Sequence, residues 1–241
     1  MIKCCMFDLD GTLLDTLDTI TYYVNRSLER EGLPPSDREE CRLAVGNGAR
    51  ELIERIYEGR RQLSKEETER ILGDYKRDYN RDSLYLTVPY EGVPELISRL
   101  SLDGYTLAVL SNKQDGAVQS LVRHFFGDAF KIIRGGRDGV ALKPAPEAPL
   151  ALCRELSLDP SEIAFIGDTA VDIETGKNMG AGLTVGVSWG FRSGAELEEA
   201  GADTVVDRAL EMLRVFGKSS FAYEDEPERK KHIRQSKYII F

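Results

Sequence analysis

Acidic residues follow two apolar stretches that are typical of buried strands. Asp8 and Asp10 end the first stretch, and Asp168 ends a later one, with Asp172 one helical turn beyond. Clustered carboxylates repel one another unless a cation neutralises them, and a hard divalent ion prefers oxygen ligands. A carboxylate can also attack phosphorus to form an aspartyl-phosphate, while a second one protonates the leaving oxygen and then activates water. These acids therefore predict Mg²⁺-assisted phosphoryl transfer.

Polar residues follow two further strand-like segments. Ser111 and Asn112 come after the apolar segment 106–110, and Lys143 stands just before Pro144. Ligands of an open parallel sheet bind outside the carboxyl ends of its strands, so all four clusters are expected in one cleft. There Lys143 and the Ser111 hydroxyl would hold the oxygens of a transferring phosphoryl group.

The elements that must position these residues alternate along most of the chain. A helical pattern, with apolar residues every three or four positions from Leu17 to Leu28, follows the first strand. Strands are predicted at 2–7, 106–110, 131–133, 163–166, 183–187 and 204–206. Helical patterns separate most of them, which predicts an α/β fold with a doubly wound, Rossmann-like parallel sheet.

The stretch after the first strand contains only helical patterns. We therefore predict a core formed by residues 1–15 and 86–217, with an inserted α-helical cap at 16–85. The remaining segment, 218–241, is rich in charge and is interpreted as a C-terminal tail.

Composition limits the partners that the protein could have. The chain has 241 residues and a net charge of −9, which argues against binding nucleic acid through its phosphates. It contains no apolar run of roughly 20 residues that would span a bilayer. The four cysteines fit no metal-ligand spacing, and no targeting segment is recognised, so we expect a cytoplasmic protein. The expected partner is a small phosphorylated metabolite, and the expected state is a monomer or a homodimer.

The four clusters together resemble the motifs of the haloacid dehalogenase superfamily of phosphatases. The matching strings, in the family's order, are D-L-D-G-T at 8–12, S-N at 111–112, K-P at 143–144 and G-D-T-A-V-D at 167–172. The resemblance implies that Asp8 is the nucleophile and that Asp10 is the general acid and base. It also implies Mg²⁺ held by the Asp8 carboxylate, the Asp10 backbone carbonyl and Asp168, with Asp172 close behind.

The same resemblance implies the surroundings of the substrate. The phosphate site would be lined by Thr12, Ser111, Asn112 and Lys143, and the helical insertion corresponds to a cap over the cleft. From its place in the first turn of a helix, Asp172 could instead simply orient Lys143 or a metal-bound water.

Within this superfamily the chain is most similar to the phosphoglycolate phosphatases. The supporting strings are V-G-N-G-A at 45–49 and V-S-W-G at 187–190. Gly46 and Gly48, around Asn47, would present backbone N–H groups at a helix start, which suits the carboxylate of phosphoglycolate. Trp189 is interpreted as a packing residue, with a substrate platform as the alternative. Arg192 is interpreted as a surface arginine, with contact to the phosphate or the carboxylate as the alternative.

Four other functions are compatible with parts of this pattern. A phosphomutase of the β-phosphoglucomutase kind would share every core residue and return the phosphoryl group to a sugar hydroxyl. A pyrophosphatase would use the same core on another substrate. A dehalogenase needs neither a phosphate clamp nor a metal, and the acid at Asp10 argues against it. A catalytically silent binding protein would have no need of the complete motif set.

Overall fold

The computed structural model of the protein describes residues 1–217. The predicted tail, 218–241, lies outside the described residues. The strands are β1 (Cys4–Phe7), β2 (Leu14–Asp15), β3 (Val88–Pro89), β4 (Thr106–Gln114), β5 (Ile132–Gly136), β6 (Ile163–Gly167), β7 (Leu183–Val187) and β8 (Thr204–Val206). The helices are α1 (Leu17–Arg30), α2 (Arg38–Ala44), α3 (Ala49–Tyr57), α4 (Lys65–Arg81), α5 (Val93–Leu102), α6 (Asp115–Phe126), α7 (Glu147–Leu156), α8 (Ala170–Met179), α9 (Gly194–Glu199) and α10 (Met212–Val215).

Six of the strands form one parallel sheet, in the order β5-β4-β1-β6-β7-β8. Strand β1 lies between β4 and β6, so the chain moves first to one side of β1 and later to the other. The carboxyl end of β1 is therefore a topological switch point, where an open α/β sheet leaves a crevice for ligands.

Alternate residues of β1 lie in two different apolar clusters. Cys5 and Phe7 belong to the cluster that includes residues of α5 and α6, whereas Cys4 and Met6 belong to the cluster that includes residues of α7 and α8. Successive side chains of a strand point to opposite faces, so both faces of the sheet are buried. This burial explains why β1 is a continuous apolar run, and it confirms the predicted fold class.

The helices α1 to α4 lie between β2 and β3, and we refer to them as the cap helices. They pack on one another around an apolar cluster of their own. In α1 the buried residues include Leu17, Ile20, Val24 and Leu28, the face expected from their spacing. Helix α4 begins with a capping box in which Ser64 and Glu67 bond each other's backbone N–H groups. The exact division into core and cap, 1–15 and 86–217 against 16–85, stays a prediction.

Two features differ from the expected elements. The two-residue strands β2 and β3 form an antiparallel pair at the junction of the cap helices with the sheet, and elements this short carry no detectable alternation. Strand β4 continues past Leu110 to Gln114, with an irregular register between these residues. Ser111 and Asn112 therefore lie within the strand and do not follow it. The apolar run ends at Leu110, but the backbone of the strand continues through the polar residues after it.

Within residues 1–217, none of the helices combines the length and the apolar character that crossing a bilayer requires.

Candidate active site

Two neighbouring strands, and the helix that follows the second of them, bring three of the predicted acids to one place. Asp8 follows β1 and Asp168 follows β6, while Asp172 lies in the first turn of α8. One carboxylate oxygen from each of these three buried residues lies within 4.8 Å of the other two. Charged groups this close are held together only by compensating cations or protons. The structure thus brings together the acids that the sequence analysis assigned to a metal site.

Lys143 lies buried among these acids. Its Nζ is 2.8 Å from Asp8 Oδ1 and 2.7 Å from Asp172 Oδ1. Burial alone would lower the pKa of Lys143, but the neighbouring carboxylates of Asp172 and Asp8 raise it above its usual value. Lys143 is therefore held as a cation, which is the form that can bind phosphoryl oxygens.

Asn112 fixes the backbone of Lys143. Its Oδ1 accepts a 2.8 Å hydrogen bond from Lys143 N, and its Nδ2 donates to Lys143 O at 3.0 Å. The same Nδ2 lies 3.2 Å from Gly46 O in the loop between α2 and α3. Asn112 thus connects the lysine to the cap side of the cleft, a role that the sequence analysis did not foresee.

Asp172 uses both of its oxygens for hydrogen bonds. Oδ1 accepts from Lys143, and Oδ2 accepts from the Thr169 backbone N–H at 3.1 Å and from its hydroxyl at 2.8 Å. Asp172 thus orients Lys143 through Oδ1. A direct contact between Asp172 and a metal stays a prediction.

When all three are ionised, the buried acids Asp8, Asp168 and Asp172 carry more negative charge than Lys143 alone can neutralise. Burial raises the pKa of Asp8 to about 6, with Lys143 acting in the opposite direction. Burial and, to a smaller extent, the charges of Asp172 and Asp8 raise the pKa of Asp168 well above its usual value. An oxygen-rich pocket with uncompensated charge is the kind of site that a hard divalent cation fits. The residues present therefore fit Mg²⁺.

Asp168 is held tightly on both oxygens. Thr12 Oγ1 donates to its Oδ1 at 2.9 Å, and the Phe191 backbone N–H donates to its Oδ2 at 2.8 Å. A Cβ at Gly11, where φ is +83°, would stand 2.1 Å from Asp168 Oδ2, and one at Gly190 would stand 2.5 Å away. Only glycine leaves room for the carboxylate at these positions. The hydroxyl of Thr12 thus supports Asp168, and its place in the phosphate site stays a prediction.

Asp10 faces the cleft and is held by residues that the sequence analysis did not assign. Thr16 Oγ1 donates to Asp10 Oδ1 at 2.7 Å, and Lys113 Nζ lies 2.9 and 3.0 Å from the two carboxylate oxygens. The Lys113 ammonium also lies 4.1 Å from the centre of the Tyr79 ring, which comes from α4. Lys113 directly follows Ser111-Asn112 in the chain, the one signal that could have indicated it.

A small cleft separates the cap helices from the sheet. Its volume is about 70 Å³, and its walls include Asp8, Asp10, Ser111 and Asn112 from the sheet side. On the cap side, Gly46 and Gly48 line it, together with apolar and aromatic side chains of α1, α3 and α4. The Asn47 side chain donates to Glu51 at 3.0 Å, as expected of a residue that stabilises the start of α3. A substrate role for 46–48 remains a prediction.

The segment after β7 contacts both the sheet and the cap helices. Trp189 Nε1 donates to Thr12 O at 3.0 Å, and the Phe191 ring belongs to the apolar cluster of the cap helices. Arg192 donates to the backbone carbonyls of Arg42, Leu43 and Val45. Arg192 is partly exposed and is also held by the cap helices, a contact that its interpretation as a surface arginine did not include.

The fold and the site together define a class of α/β enzyme. In this class, acids lie at the switch point of a parallel sheet, and helices such as the cap helices lie over them. Residues 5–185 match the sequence profile of the haloacid dehalogenase-like hydrolases, and the chain belongs to this family. The predicted resemblance and the predicted enzyme class are confirmed.

Proteins of known name or structure resemble the chain over most of their length. A phosphoglycolate phosphatase 1 of Pseudomonas aeruginosa is 32% identical over 215 residues, covering 88% of this chain and 78% of that protein. An N-acetylmuramic acid 6-phosphate phosphatase of the same species is 29% identical over 220 residues, covering 90% and 96%.

Solved structures agree with the observed architecture. A crystal structure described as a predicted phosphoglycolate phosphatase from Haemophilus somnus superposes with a TM-score of 0.82 at 27% identity, covering 89% of this chain and 98% of that chain. The structure of CbbY from Rhodobacter sphaeroides in complex with phosphate gives 0.75 at 26% identity, covering 88% and 96%.

Proposed function

We propose that the protein is a Mg²⁺-dependent phosphatase that transfers the phosphoryl group of a small monoester to Asp8 and then to water. The observation that carries the proposal is the position of Asp8 at the switch point, 2.8 Å from Lys143 Nζ and clustered with Asp168 and Asp172. Two relatives that match this chain over most of their length are named as phosphatases, which supports the same activity.

In the first step, an Asp8 carboxylate oxygen forms a bond to phosphorus while the bond from phosphorus to the leaving oxygen breaks. Lys143, already paired with Asp8, would hold the phosphoryl oxygens as negative charge shifts onto them. Ser111 lines the same cleft and would donate to another oxygen. Asp172 keeps Lys143 in place during this step.

The general acid and base of the reaction would be Asp10. It would give a proton to the leaving oxygen and then take one from the water that hydrolyses the aspartyl-phosphate. Thr16 and Lys113 hold its carboxylate toward the cleft. Two acids in distinct settings can therefore take distinct roles, since Asp8 contacts Lys143 and Asp10 contacts Lys113.

The Asp8 and Asp168 carboxylates and the Asp10 backbone carbonyl would hold Mg²⁺. When bound there, the ion would neutralise the acids and polarise the phosphoryl oxygens. Asp168 is already oriented for this task by Thr12 and the Phe191 N–H.

We propose phosphoglycolate as the substrate. The relative named phosphoglycolate phosphatase 1, which is 32% identical over 215 residues, supports this choice. Gly46 and Gly48 line the cleft beside Asn112 and would meet the carboxylate. A phosphomutase or a pyrophosphatase would use the same core residues, so the products must be identified.

Phosphate release from a panel of small monoesters tests this function. The panel holds phosphoglycolate, N-acetylmuramic acid 6-phosphate, hexose phosphates, pyrophosphate and an aryl phosphate, each with Mg²⁺ and with a chelator. We expect release only with Mg²⁺, and a kcat/KM for phosphoglycolate at least about tenfold above the others. A preference for another compound would replace the substrate and keep the mechanism. No release from folded, Mg²⁺-loaded protein would contradict the function, and isomerised hexose phosphate would indicate a mutase.

Mg²⁺ should also stabilise the folded protein in the absence of substrate. Three buried acids face one lysine, so an ion that binds only the folded state should raise the free energy of unfolding by about 2.7 kcal/mol at a hundredfold excess over its Kd. Thermal unfolding with and without MgCl₂, at constant ionic strength, measures the effect. Asp168→Asn should remove most of the Mg²⁺ dependence, whereas Asp128→Asn, at a fully exposed side chain, should retain it. Equal shifts in both variants would argue against the assigned site.

A further inference from the structure

The segment 189–192 bridges the sheet and the cap helices, and we call it the bridging loop. On the sheet side, Trp189 bonds the Thr12 carbonyl, and the Phe191 N–H bonds Asp168 Oδ2 at 2.8 Å. This second bond is made by backbone and reaches a carboxylate of the candidate metal site. The conformation of the bridging loop and the position of Asp168 are therefore linked.

On the cap side, the bridging loop is anchored by a ring and a guanidinium. The Phe191 side chain is only 3% exposed and lies in the apolar cluster of the cap helices. Arg192 donates to the carbonyls of Arg42 at 2.7 Å, and of Leu43 and Val45 at 3.2 Å each. Arg42 in turn donates to the Phe191 carbonyl.

The carbonyls that Arg192 meets are those at the end of α2. The last carbonyls of a helix have no partner within the helix and carry partial negative charge, so a guanidinium that bonds three of them at once is favourable. These bonds connect the cap helices to the loop that follows β7. If the cap helices lifted from the sheet, Arg192 would lose these partners and the Phe191 ring would be exposed to water.

We propose that Phe191 and Arg192 form a latch that stabilises the closed position of the cap helices and aligns Asp168 when they close. Both are positioning residues, because they act through the cap helices and through Asp168. This inference rests on the proposed function for its kinetic consequences. Its structural part, coupling between the cap and the bridging loop, is testable without turnover.

Kinetics of Arg192→Ala supply the first test. Loss of the guanidinium lowers the population of the closed state, and apparent affinity falls in proportion to that population. We expect KM to rise by about tenfold, with a smaller change in kcat. Arg192→Lys keeps the charge with fewer donor directions and should lie between wild type and Ala. Arg208→Ala, an exposed arginine on the sheet side, is the matched control and should behave as wild type.

Fluorescence of Trp189 supplies a second test that needs no turnover. This residue is the single tryptophan of the chain, and it lies in the bridging loop. We expect its emission to change when inorganic phosphate is added with Mg²⁺, and the midpoint of the titration to move about tenfold higher in Arg192→Ala. Arg192→Lys should shift it less, and Arg208→Ala should not shift it.

The outcomes separate the latch from a purely structural role and from the proposed function. An unchanged KM and an unchanged phosphate midpoint in Arg192→Ala would overturn the latch, even if its unfolding temperature fell. So would a wild-type protein whose emission does not respond to phosphate with Mg²⁺. A shifted midpoint supports the latch even if no monoester in the panel is hydrolysed, in which case only the proposed function fails.

Discussion

Replacing Asp8 by Asn should lower kcat for any phosphate monoester by about 10⁴-fold or more. An amide is not a nucleophile toward phosphorus. The Asp8 carboxylate lies 2.8 Å from Lys143 Nζ, and the Asp172 carboxylate lies 2.7 Å from it. Asp172, the other carboxylate beside Lys143, is held by hydrogen bonds to Lys143 and Thr169, and we do not expect it to replace Asp8. Phosphate release under saturating substrate and Mg²⁺ measures the effect.

The folded state should survive this substitution. Because burial raises the pKa of Asp8 to about 6, above its ordinary value, the ionised form is the one that folding disfavours at neutral pH. A neutral Asn therefore avoids that cost, although Lys143 loses one of its two partners. Unfolding curves and Trp189 emission serve as the controls for structure. Turnover within tenfold of wild type, in freshly purified protein of confirmed mass, would refute the nucleophile assignment.

Much of the fold was predictable from the sequence because its strands are buried on both faces. Cys4–Phe7 and Ile163–Gly167 form continuous apolar runs that end in acids, and this pattern marks a central strand and its carboxyl end together. The acids at 8, 168 and 172 and Lys143 could be assigned to one cleft because parallel topology brings such ends to one edge. The structure shows these four residues in mutual contact or near contact.

The residues that the sequence analysis did not assign act through contacts distant in the chain. Lys113 pairs with Asp10 across 103 positions, and Arg192 bonds carbonyls that lie 149 and 150 positions away. A lysine or an arginine in a polar segment is most often solvated, and no local pattern distinguishes these two. The order of the strands in the sheet brings Lys113 to Asp10, and the packing of the cap helices brings Arg192 to its carbonyls. The β2–β3 pair escaped prediction for another reason, because each strand has only two residues.

Asn112 shows how a correctly located residue can carry more than its predicted task. It was expected to line the phosphate site, and it does line the cleft. Its side chain, however, bonds both the N–H and the carbonyl of Lys143 and also the carbonyl of Gly46. Sequence motifs identify which residue types are needed at the cleft, whereas the bonds that orient them depend on three-dimensional packing.

Asp10→Asn should separate the two halves of the reaction. An amide cannot donate a proton to the leaving oxygen or accept one from water, so we expect kcat to fall by about 10²- to 10⁴-fold. The loss should be smaller in the first step for an aryl phosphate, whose leaving group needs little protonation, so that its phosphoenzyme accumulates. A burst of aryl alcohol, followed by slow phosphate release, would reveal this species in rapid-mixing experiments.

The surroundings of Asp10 make a matched comparison possible. Thr16 and Lys113 bond its carboxylate, and an Asn side chain can keep one of these contacts through its oxygen, so the cleft should retain its shape. Asp18→Asn is the matched control. Asp18 pairs with Arg38 and does not line the cleft, so this variant makes the same change of charge and should leave both steps unaffected. If Asp10→Asn turned over as fast as Asp18→Asn, another group would have to supply the proton. If it slowed only the alkyl substrates, without a burst from the aryl phosphate, Asp10 would be the acid of the first step and water would attack the phosphoenzyme without its help.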